Sequence, residues 1–161
     1  MNPCPCGYAG SPRDNCRCSH QQIQRYLNKL SGPLLDRIDM QVEVPSLPHE
    51  VLSSRSIDNQ QQSTTVKERV IAARARQQAR QGKCNRELTV SEIQKYCILD
   101  ANSERLMKQV VDKFNLSARV YHRIIKVART IADIEELDSI SSTHLSEALT
   151  YRCLDRSKAS L

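Results

Sequence analysis

Residues 31–39 of the chain, Ser-Gly-Pro-Leu-Leu-Asp-Arg-Ile-Asp, separate a cysteine-rich beginning from a helical remainder. Gly32 and Pro33 end one helix, and Pro33 suits the first turn of a new short helix. Three aliphatic side chains at i, i+1 and i+4 can anchor this helix in a core while Arg37 points elsewhere. The stretch leaves two interpretations of Arg37 open: a surface ion pair with a neighbouring aspartate, or a cation acting on a group outside its own chain.

The segments on either side of this stretch have clear periodicities. Upstream, Ser19 is a suitable N-cap for a helix. Its apolar face would comprise Ile23, Tyr26, Leu27 and Leu30. Downstream, apolar and polar residues alternate over residues 40–44, which predicts a short strand closed by Pro45. A single strand cannot form a sheet, so its partners would have to come from elsewhere.

The second half of the chain is predicted to be a helical bundle between Val66 and Arg152. Its first helix spans Thr65–Gln81 and ends at Gly82, a natural C-cap. Four further helices are predicted: Glu92–Leu99 after a Ser91 cap, Asn102–Phe114, a long amphipathic run from Ser117, and a last helix from Ser141 or Ser142.

Composition supports a helical protein. The chain has 161 residues and a mass of 18.3 kDa, with only 4% aromatic residues and no Trp, so its core must be built from aliphatic side chains. No apolar run approaches the ~20 residues of a membrane span, and the first residues lack a signal-peptide core. We therefore expect a soluble, cytoplasmic protein with no membrane partner.

The net charge of +6 arises from one region. Against Glu68 alone, the stretch from Val66 to Arg86 carries seven basic residues: Lys67, Arg69, Arg74, Arg76, Arg80, Lys83 and Arg86. Such a stripe could contact nucleic-acid phosphates, or it could be an ordinary solvated helix face.

Four cysteines near the N-terminus form two C-x-C pairs. These are Cys4, Cys6, Cys16 and Cys18. In a cytoplasmic chain, cysteines grouped in this way are more plausible as thiolate ligands than as disulfides, and four thiolates can close a structural zinc site. Gly7 and Gly10 would allow the tight turns required. With one intervening residue in each pair, binding of one metal ion by both sulfurs of the pair is strained. Two interpretations therefore remain open, a zinc site and a group of free thiols. The other three cysteines are isolated and are predicted to be small buried residues: Cys84, Cys97 and Cys153.

The long helix that starts after Ser117 carries a second group of cations, Arg119, Arg123 and Lys126, at i, i+4 and i+7. Solvation accounts for Arg123 and Lys126. Arg119 falls in the first turn, where the helix dipole disfavours a cation. An anion bound in front of the helix N-terminus would explain it, because helix starts attract phosphates and an arginine adds bidentate contacts.

Three motifs together resemble a known family. Residues 2–7 (Asn-Pro-Cys-Pro-Cys-Gly), 34–39 (Leu-Leu-Asp-Arg-Ile-Asp) and 116–124 (Leu-Ser-Ala-Arg-Val-Tyr-His-Arg-Ile) look like the C-terminal third of magnesium chelatase-like AAA+ ATPases of the ComM (YifB) type. The similarity runs over nearly the whole chain in the right order. The segment around Arg37 also resembles the arginine-finger segment of the wider magnesium-chelatase and MCM-helicase group.

The resemblance implies a mainly α fold. Residues 1–48 would be the C-terminal remnant of an AAA+ α/β core, with a short strand, the Cys-rich loop and the arginine-finger segment. Residues 49–65 would be a linker, and residues 66–161 an all-α helical lid of the magnesium chelatase C-terminal type.

The resemblance also implies residue roles. Asn2 matches the sensor-1 position, which orients the water that attacks the γ-phosphate, and Arg37 matches the arginine finger inserted into a neighbouring subunit's site. Arg119 matches the sensor-2 arginine of the lid, with Arg123 beside it as a further nucleotide-binding cation. ATP and Mg²⁺ would be the cofactors of a homo-oligomer, a hexamer joined through the Arg37 interface. The family acts on DNA, with branch migration during natural transformation as its described role.

The chain also departs from the pattern of an ATPase. It has no G-x-x-x-x-G-K-[ST] loop, and no hydrophobic strand ending in a metal-binding acidic pair. We therefore expect a C-terminal fragment that does not hydrolyse ATP alone. The alternative is a stand-alone, basic, zinc-containing helical module that binds DNA and has no ATPase role.

Overall fold

The computed structural model describes residues 2–10, 15–44 and 63–152. Across these residues the chain forms seven α-helices and one 3-10 helix, but no strand, which confirms the prediction of a mainly helical fold. The helices are α1 (His20–Leu27), α2 (Gly32–Leu35), α3 (Ser63–Gln81), α4 (Val90–Tyr96), α5 (Ala101–Phe114), α6 (Ala118–Ile134) and α7 (Ser142–Thr150), with the 3-10 helix at Asn85–Glu87. None of the described helices combines the length and apolarity needed to span a membrane.

The chain divides into two compact units. The first comprises Met1–Ile38 with Glu43–Ser54, and the second comprises Asp39–Val42 with Arg55–Leu161. Most of the linker predicted at residues 49–65, together with Cys153, lies outside the described residues. The last three residues of that predicted linker, 63–65, already belong to α3.

In the first unit, serines begin both helices; the cap at Ser19 was predicted, and the cap at Ser31 was not. The side chain of Ser19 accepts a hydrogen bond from the Gln22 amide, and the Gln22 side chain accepts one from the Ser19 amide, so the two residues form a capping box. The Ser31 hydroxyl caps α2 through the Leu34 amide at 3.3 Å. Of the three aliphatic side chains expected to anchor α2, Leu35 is buried, whereas Leu34 and Ile38 are exposed. Arg37 is exposed just beyond the end of the helix.

The second unit is built around α6, which packs against α3, α4, α7 and the 3-10 helix. The apolar side of α6 is the centre of the core, and Ala128 and Ala132 on this helix are fully buried. Small side chains at these positions let neighbouring helices approach closely. The rest of the core is aliphatic apart from sulfur-containing side chains, with Met107, Ile124, Ile125, Leu145 and Ala148 among its most buried members.

Caps fix the helix boundaries of the second unit, and two predicted starts were wrong. Helix α4 begins after Thr89 rather than Ser91, because Thr89 and Glu92 form a capping box in which each side chain accepts the other's amide. Helix α5 begins at Ala101 rather than Asn102. The predicted caps at Ser117, Ser141 and Gly82 are confirmed, with Gly82 in the left-handed conformation at φ 73°.

The alternating segment at residues 40–44 is not a strand in the structure. Its one ladder contact is an isolated parallel bridge between Gln41 and Arg152. A strand is stable only when a neighbour satisfies its backbone groups, and the described residues supply no second strand. Val42 and Val44 are accordingly exposed.

A fully buried carboxylate connects the helices of the second unit. Asp133 accepts two hydrogen bonds from Arg80 at 2.6 and 3.0 Å, one from Asn85 at 2.8 Å and one from Arg129 at 3.2 Å. Burial alone would raise the pKa of Asp133, but the hydrogen bonds from Arg80 and Asn85 outweigh burial and lower this pKa. The carboxylate therefore stays ionised between two guanidinium groups.

Replacing this carboxylate should destabilise the second unit strongly. We expect Asp133→Ala to lower the free energy of unfolding by about 3–5 kcal/mol, because it leaves the buried charges of Arg80 and Arg129 uncompensated. Urea unfolding followed by circular dichroism measures this change. Asp138→Ala is the matched control, since Asp138 also pairs with an arginine, Arg76, but its side chain is completely exposed. Equal midpoints for the two variants would contradict the role given to Asp133.

Candidate functional site

The four N-terminal cysteines converge in the first unit. Their sulfur atoms all lie within 4.8 Å of one another, and none is in a disulfide. Cys4 is fully buried, whereas Cys6 is exposed and the other two are half-buried. The loop thus holds four possible ligand atoms around one point, with the most protected sulfur on its inner side.

The spacing of the sulfurs matches a shared cation better than it matches a disulfide. The Sγ of Cys4 lies 3.3 Å from that of Cys6 and 3.8 Å from that of Cys16, and the Cys6 and Cys16 sulfurs are 3.7 Å apart. A disulfide brings two sulfurs to about 2.05 Å. Four thiolates at about 2.3 Å from a central zinc would form a tetrahedron with edges of about 3.8 Å. The observed separations are close to these edges.

The backbone supports this arrangement through turns and amide hydrogen bonds. The Ala9 amide donates to the Cys4 sulfur at 3.3 Å, and the Gly7 amide donates to the Cys4 carbonyl at 3.0 Å. Gly7 and Gly10 have φ angles of 85° and 76°, which confirms the prediction that glycines allow the tight turns. Asn2 is exposed, and its amide group lies next to Gly7.

The thiols of this cluster have strongly perturbed proton affinities. A hydrogen bond from the Tyr8 amide, followed by one from the Cys4 thiol, lowers the pKa of Cys6 to about 6. The Cys18 sulfur accepts a hydrogen bond from the Cys6 amide, yet the neighbouring sulfurs of Cys6 and Cys4 raise the pKa of Cys18 to about 12. The thiolate of Cys6 is therefore favoured, while further ionisation is opposed by like charge. A cation at the centre would remove that opposition.

Arg37 is exposed and bonds only locally among the described residues. Its Nη1 donates to the Pro33 carbonyl at 3.1 Å, one turn back along α2. Asp39, one of the two aspartates expected to pair with it, instead forms an ion pair with Arg123. The guanidinium is thus held at the end of α2 with donors facing solvent.

The three cations at the start of α6 are in different surroundings. Arg119 is exposed in the first turn, and its side chain has no hydrogen bond or ion pair with another described residue. Arg123 is three-quarters buried and paired with Asp39, and Lys126 donates to the Arg86 carbonyl at 3.0 Å. Arg119 is therefore the member of this group that is available to an external anion.

An open groove of about 630 Å³ lies between α5 and the start of α6. Its lining is mainly apolar and is formed by Glu104, Met107, Lys108, Val111, Leu116, Ala118, Tyr121 and His122.

The basic stripe predicted between Val66 and Arg86 is partly neutralised within the chain. Three of its seven cations form ion pairs, each at 2.6 Å: Arg76 with Asp138, Arg80 with Asp133 and Lys83 with Glu92. The hydrogen bond from Lys83, with further bonds from Thr89, lowers the pKa of Glu92 to about 2, so this pair remains charged at neutral pH. The exposed basic residues left are Lys67, Arg69, Arg74 and Arg86.

Comparison with known families identifies the class of protein. The helical second half matches the family described as "Magnesium chelatase, subunit ChlI C-terminal" over residues 60–152. The first part matches "Magnesium chelatase, subunit ChlI" over residues 1–52. The chain therefore belongs to the magnesium chelatase family.

Individual relatives refine this assignment. The chain is 48% identical over 157 residues to "Uncharacterized protein YifB" of Salmonella typhimurium. It is 45% identical, over the same length, to YifB of Escherichia coli and to "Competence protein ComM" of Haemophilus influenzae. These alignments cover 97% of this chain but only 30% of each relative. The expected similarity to the ComM and YifB type is thus confirmed, and the chain spans about a third of these proteins.

Proposed function

We propose that the chain supplies the arginine finger and the helical lid of an AAA+ ATPase whose phosphate-binding loop and metal-binding acidic pair lie on polypeptide outside residues 1–161. The observation that carries the proposal is the exposed guanidinium of Arg37, held at the end of α2 within a family-matched segment. Asp39, one of the two aspartates beside Arg37, pairs with Arg123 instead. Among the described residues the guanidinium donates to the Pro33 carbonyl through Nη1, and its other donors face solvent. They are available to a group on another subunit.

The chemistry of phosphoryl transfer explains why such an arginine matters. Catalysis depends mainly on placing positive groups where charge develops on the transferred phosphoryl group, and the planar fork of arginine matches its oxygens. In this proposal Arg37 acts on the ATP site of a neighbouring copy, and Asn2 orients the attacking water in the ATP site of its own subunit. ATP and Mg²⁺ would be held largely by the remainder of the ATPase.

Arg119 is proposed as the lid's cation for the nucleotide. It lies in the first turn of α6, where free amides and the helix dipole already favour an anion, and it has no partner among the described residues. Its neighbour Ala118 lines the open groove between α5 and α6. Arg123 was expected to bind the nucleotide as well, but its pair with Asp39 favours a different role, which is argued below.

The assembly and the substrate are further parts of the proposal. We propose a homo-oligomer, a hexamer in the simplest case, because a finger that acts on a neighbour needs a closed ring of head-to-tail contacts. The relative from Haemophilus influenzae is named a competence protein. We therefore propose that the ATPase remodels DNA, with branch migration in natural transformation and recombination as the reaction.

Removing the finger should abolish turnover. In a complete ATPase, formed by this chain together with the portion of Salmonella YifB that it does not match, we expect Arg37→Ala to lower kcat by about 10³- to 10⁵-fold, with nucleotide affinity little changed. Arg37→Lys should be nearly as inactive because a lysine lacks the planar fork. Steady-state ATP hydrolysis and equilibrium nucleotide binding measure the two quantities.

Arg25→Ala provides the control for the finger, since Arg25 is an exposed arginine on α1 of the same unit. Its turnover should equal that of the unmodified chain. Normal turnover in the Arg37→Ala protein would refute the finger assignment.

Arg119→Ala should act on nucleotide binding instead. Loss of a hydrogen bond to a charged group costs about 1.5–3 kcal/mol, so we expect Kd for ATP to rise about 10- to 100-fold in the complete ATPase. Calorimetric titration with a non-hydrolysable ATP analogue measures this affinity. Arg105→Ala, on the exposed face of α5, is the matched control. An unchanged Kd in Arg119→Ala would contradict the sensor-2 role.

We also propose that the four-cysteine cluster holds a structural Zn²⁺. The closely spaced sulfurs, the amide hydrogen bonds to them and the like-charge repulsion that a cation would relieve all support it. The complete set of four ligands leaves no open coordination position, so the metal would stabilise the loop that carries Asn2 rather than take part in hydrolysis.

Metal analysis tests the zinc site. Protein purified without chelators should contain one Zn²⁺ per chain, and Cys6→Ser should lower zinc affinity by about 100-fold, since structural sites gain about 10–16 kcal/mol from four ligands. Cys84→Ser removes a thiol that is not in the cluster and should retain the metal. Absence of stoichiometric metal, or equal affinity in both variants, would contradict the assignment.

The stand-alone DNA-binding alternative has less support. It rests on the basic stripe of α3 and the residues that follow, and three of those seven cations are used in ion pairs within the chain. No arrangement of the described residues favours it over the ATPase role.

A further inference from the structure

The segment that directly follows the finger is attached to the helical unit. The carboxylate of Asp39 pairs with the guanidinium of Arg123 on α6. The Gln41 amide donates to the Tyr151 carbonyl at 2.7 Å, and Gln41 forms a parallel bridge with Arg152. Gln41 and Arg152 are only 8% and 3% exposed. Residues 39–42 are therefore held at two points, the start of α6 and the end of α7.

The division between the two units falls between Ile38 and Asp39. Arg37 thus belongs to the first unit, whereas the residue two positions later is held by the second. Two peptide units join the Cα atoms of Arg37 and Asp39 and span at most about 7 Å. A displacement of α6 that carries Asp39 with it must therefore act on Arg37 through the chain.

Arg119 and Arg123 lie one turn apart on the same face of α6. An anion bound by Arg119 therefore acts on the same turn of α6 as the carboxylate of Asp39, which is bound by Arg123. Arg119, the cation proposed to bind nucleotide, therefore lies next to Arg123, which holds the segment that follows the proposed finger.

We propose that Arg123 and Asp39 are positioning residues that couple the lid to the arginine finger. Nucleotide bound at Arg119 sets the position of α6, and the Arg123–Asp39 pair transmits that position to Arg37. The position of the finger then depends on whether Arg119 holds a nucleotide. The inference rests on the proposed function, and it assigns Arg123 to finger positioning rather than to direct nucleotide binding.

The modest strength of the pair makes its role measurable. Asp39 is 59% exposed and Arg123 is 25% exposed, and a pair of this kind adds little to the stability of a fold. Its removal therefore leaves the chain folded, and changes in finger position can be separated from unfolding.

The first experiment tests the attachment on the 161-residue chain itself. We expect Arg123→Gln and Asp39→Asn each to speed hydrogen exchange at the Gln41 amide by about two- to five-fold, while amides in the core of α6 stay unchanged. Arg105→Gln is the control on a different exposed helix face. Unchanged exchange at Gln41 in both single variants would overturn the attachment, whatever the ATPase experiments show.

The second experiment separates positioning from nucleotide binding in the complete ATPase. If the pair positions the finger, Asp39→Asn and Arg123→Gln lower kcat by a similar factor of about ten and leave Kd for ATP unchanged. If Arg123 binds the nucleotide directly, Arg123→Gln raises Kd whereas Asp39→Asn does not, and the proposal is wrong.

Charge exchange provides the third test. The double variant Asp39→Arg/Arg123→Asp restores an ion pair of opposite polarity and should recover most of the kcat lost in either single variant. Failure of the double variant to exceed the single variants would contradict coupling through this pair. Normal turnover in Arg37→Ala would refute the proposed finger itself. Normal kcat in the two pair variants, with Arg37→Ala inactive, would refute only the coupling.

Discussion

The buried carboxylate of Asp133 is the interaction on which the helical unit depends. It ties Arg80 of α3, Asn85 of the 3-10 helix and Arg129 of α6 together at a single point. Arg129 in turn donates to the carbonyls of Leu137 and Asp138 beyond the end of α6. Buried charges persist only when they are paired and fully hydrogen-bonded, so this point fixes how α3 and the residues beyond α6 pack at the C-terminal end of that helix.

Fixing one end of α6 determines what the other end can do. The helix has 17 residues and is therefore about 25 Å long, with Asp133 near its C-terminus and Arg119 in its first turn. Apolar packing along its length leaves Arg119 exposed in the first turn, whereas Arg123, one turn further on, is three-quarters buried and paired with Asp39. One cation is left for an external anion, and the other holds the segment that follows Arg37.

Local patterns in the sequence were sufficient to predict most of the helices. The apolar stripe of α6, the caps at Ser19 and Ser117 and the C-cap at Gly82 all follow from interactions within a few residues, and all are found. The wrong predictions had two causes: a competing cap nearby in the sequence, and the lack of a distant strand to pair with. The Ser91 cap was displaced by the reciprocal bonds of Thr89 with Glu92, and the strand at residues 40–44 had no neighbour to pair with.

The candidate site illustrates the same limit. Convergence of the four cysteines was predictable because their spacing confines them to one short loop. The Asp39–Arg123 pair was not, because its partners are 84 positions apart and each has oppositely charged residues nearer in sequence. Likewise, net charge suggested a nucleic-acid surface, but the carboxylates that neutralise Arg80 and Arg76 follow only from packing of α3 against α6 and the residues beyond it.

The central claim is that Arg37 acts on the site of a neighbouring subunit. Mixing two inactive forms of the complete ATPase tests it most directly: one carries Arg37→Ala with an intact phosphate-binding loop, and the other has a disabled loop with Arg37 intact. If Arg37 acts in trans, the mixture hydrolyses ATP well above either form alone, because some interfaces combine an intact loop with an intact finger. A mixture as inactive as its components, with co-assembly shown by mass measurement, would contradict the account.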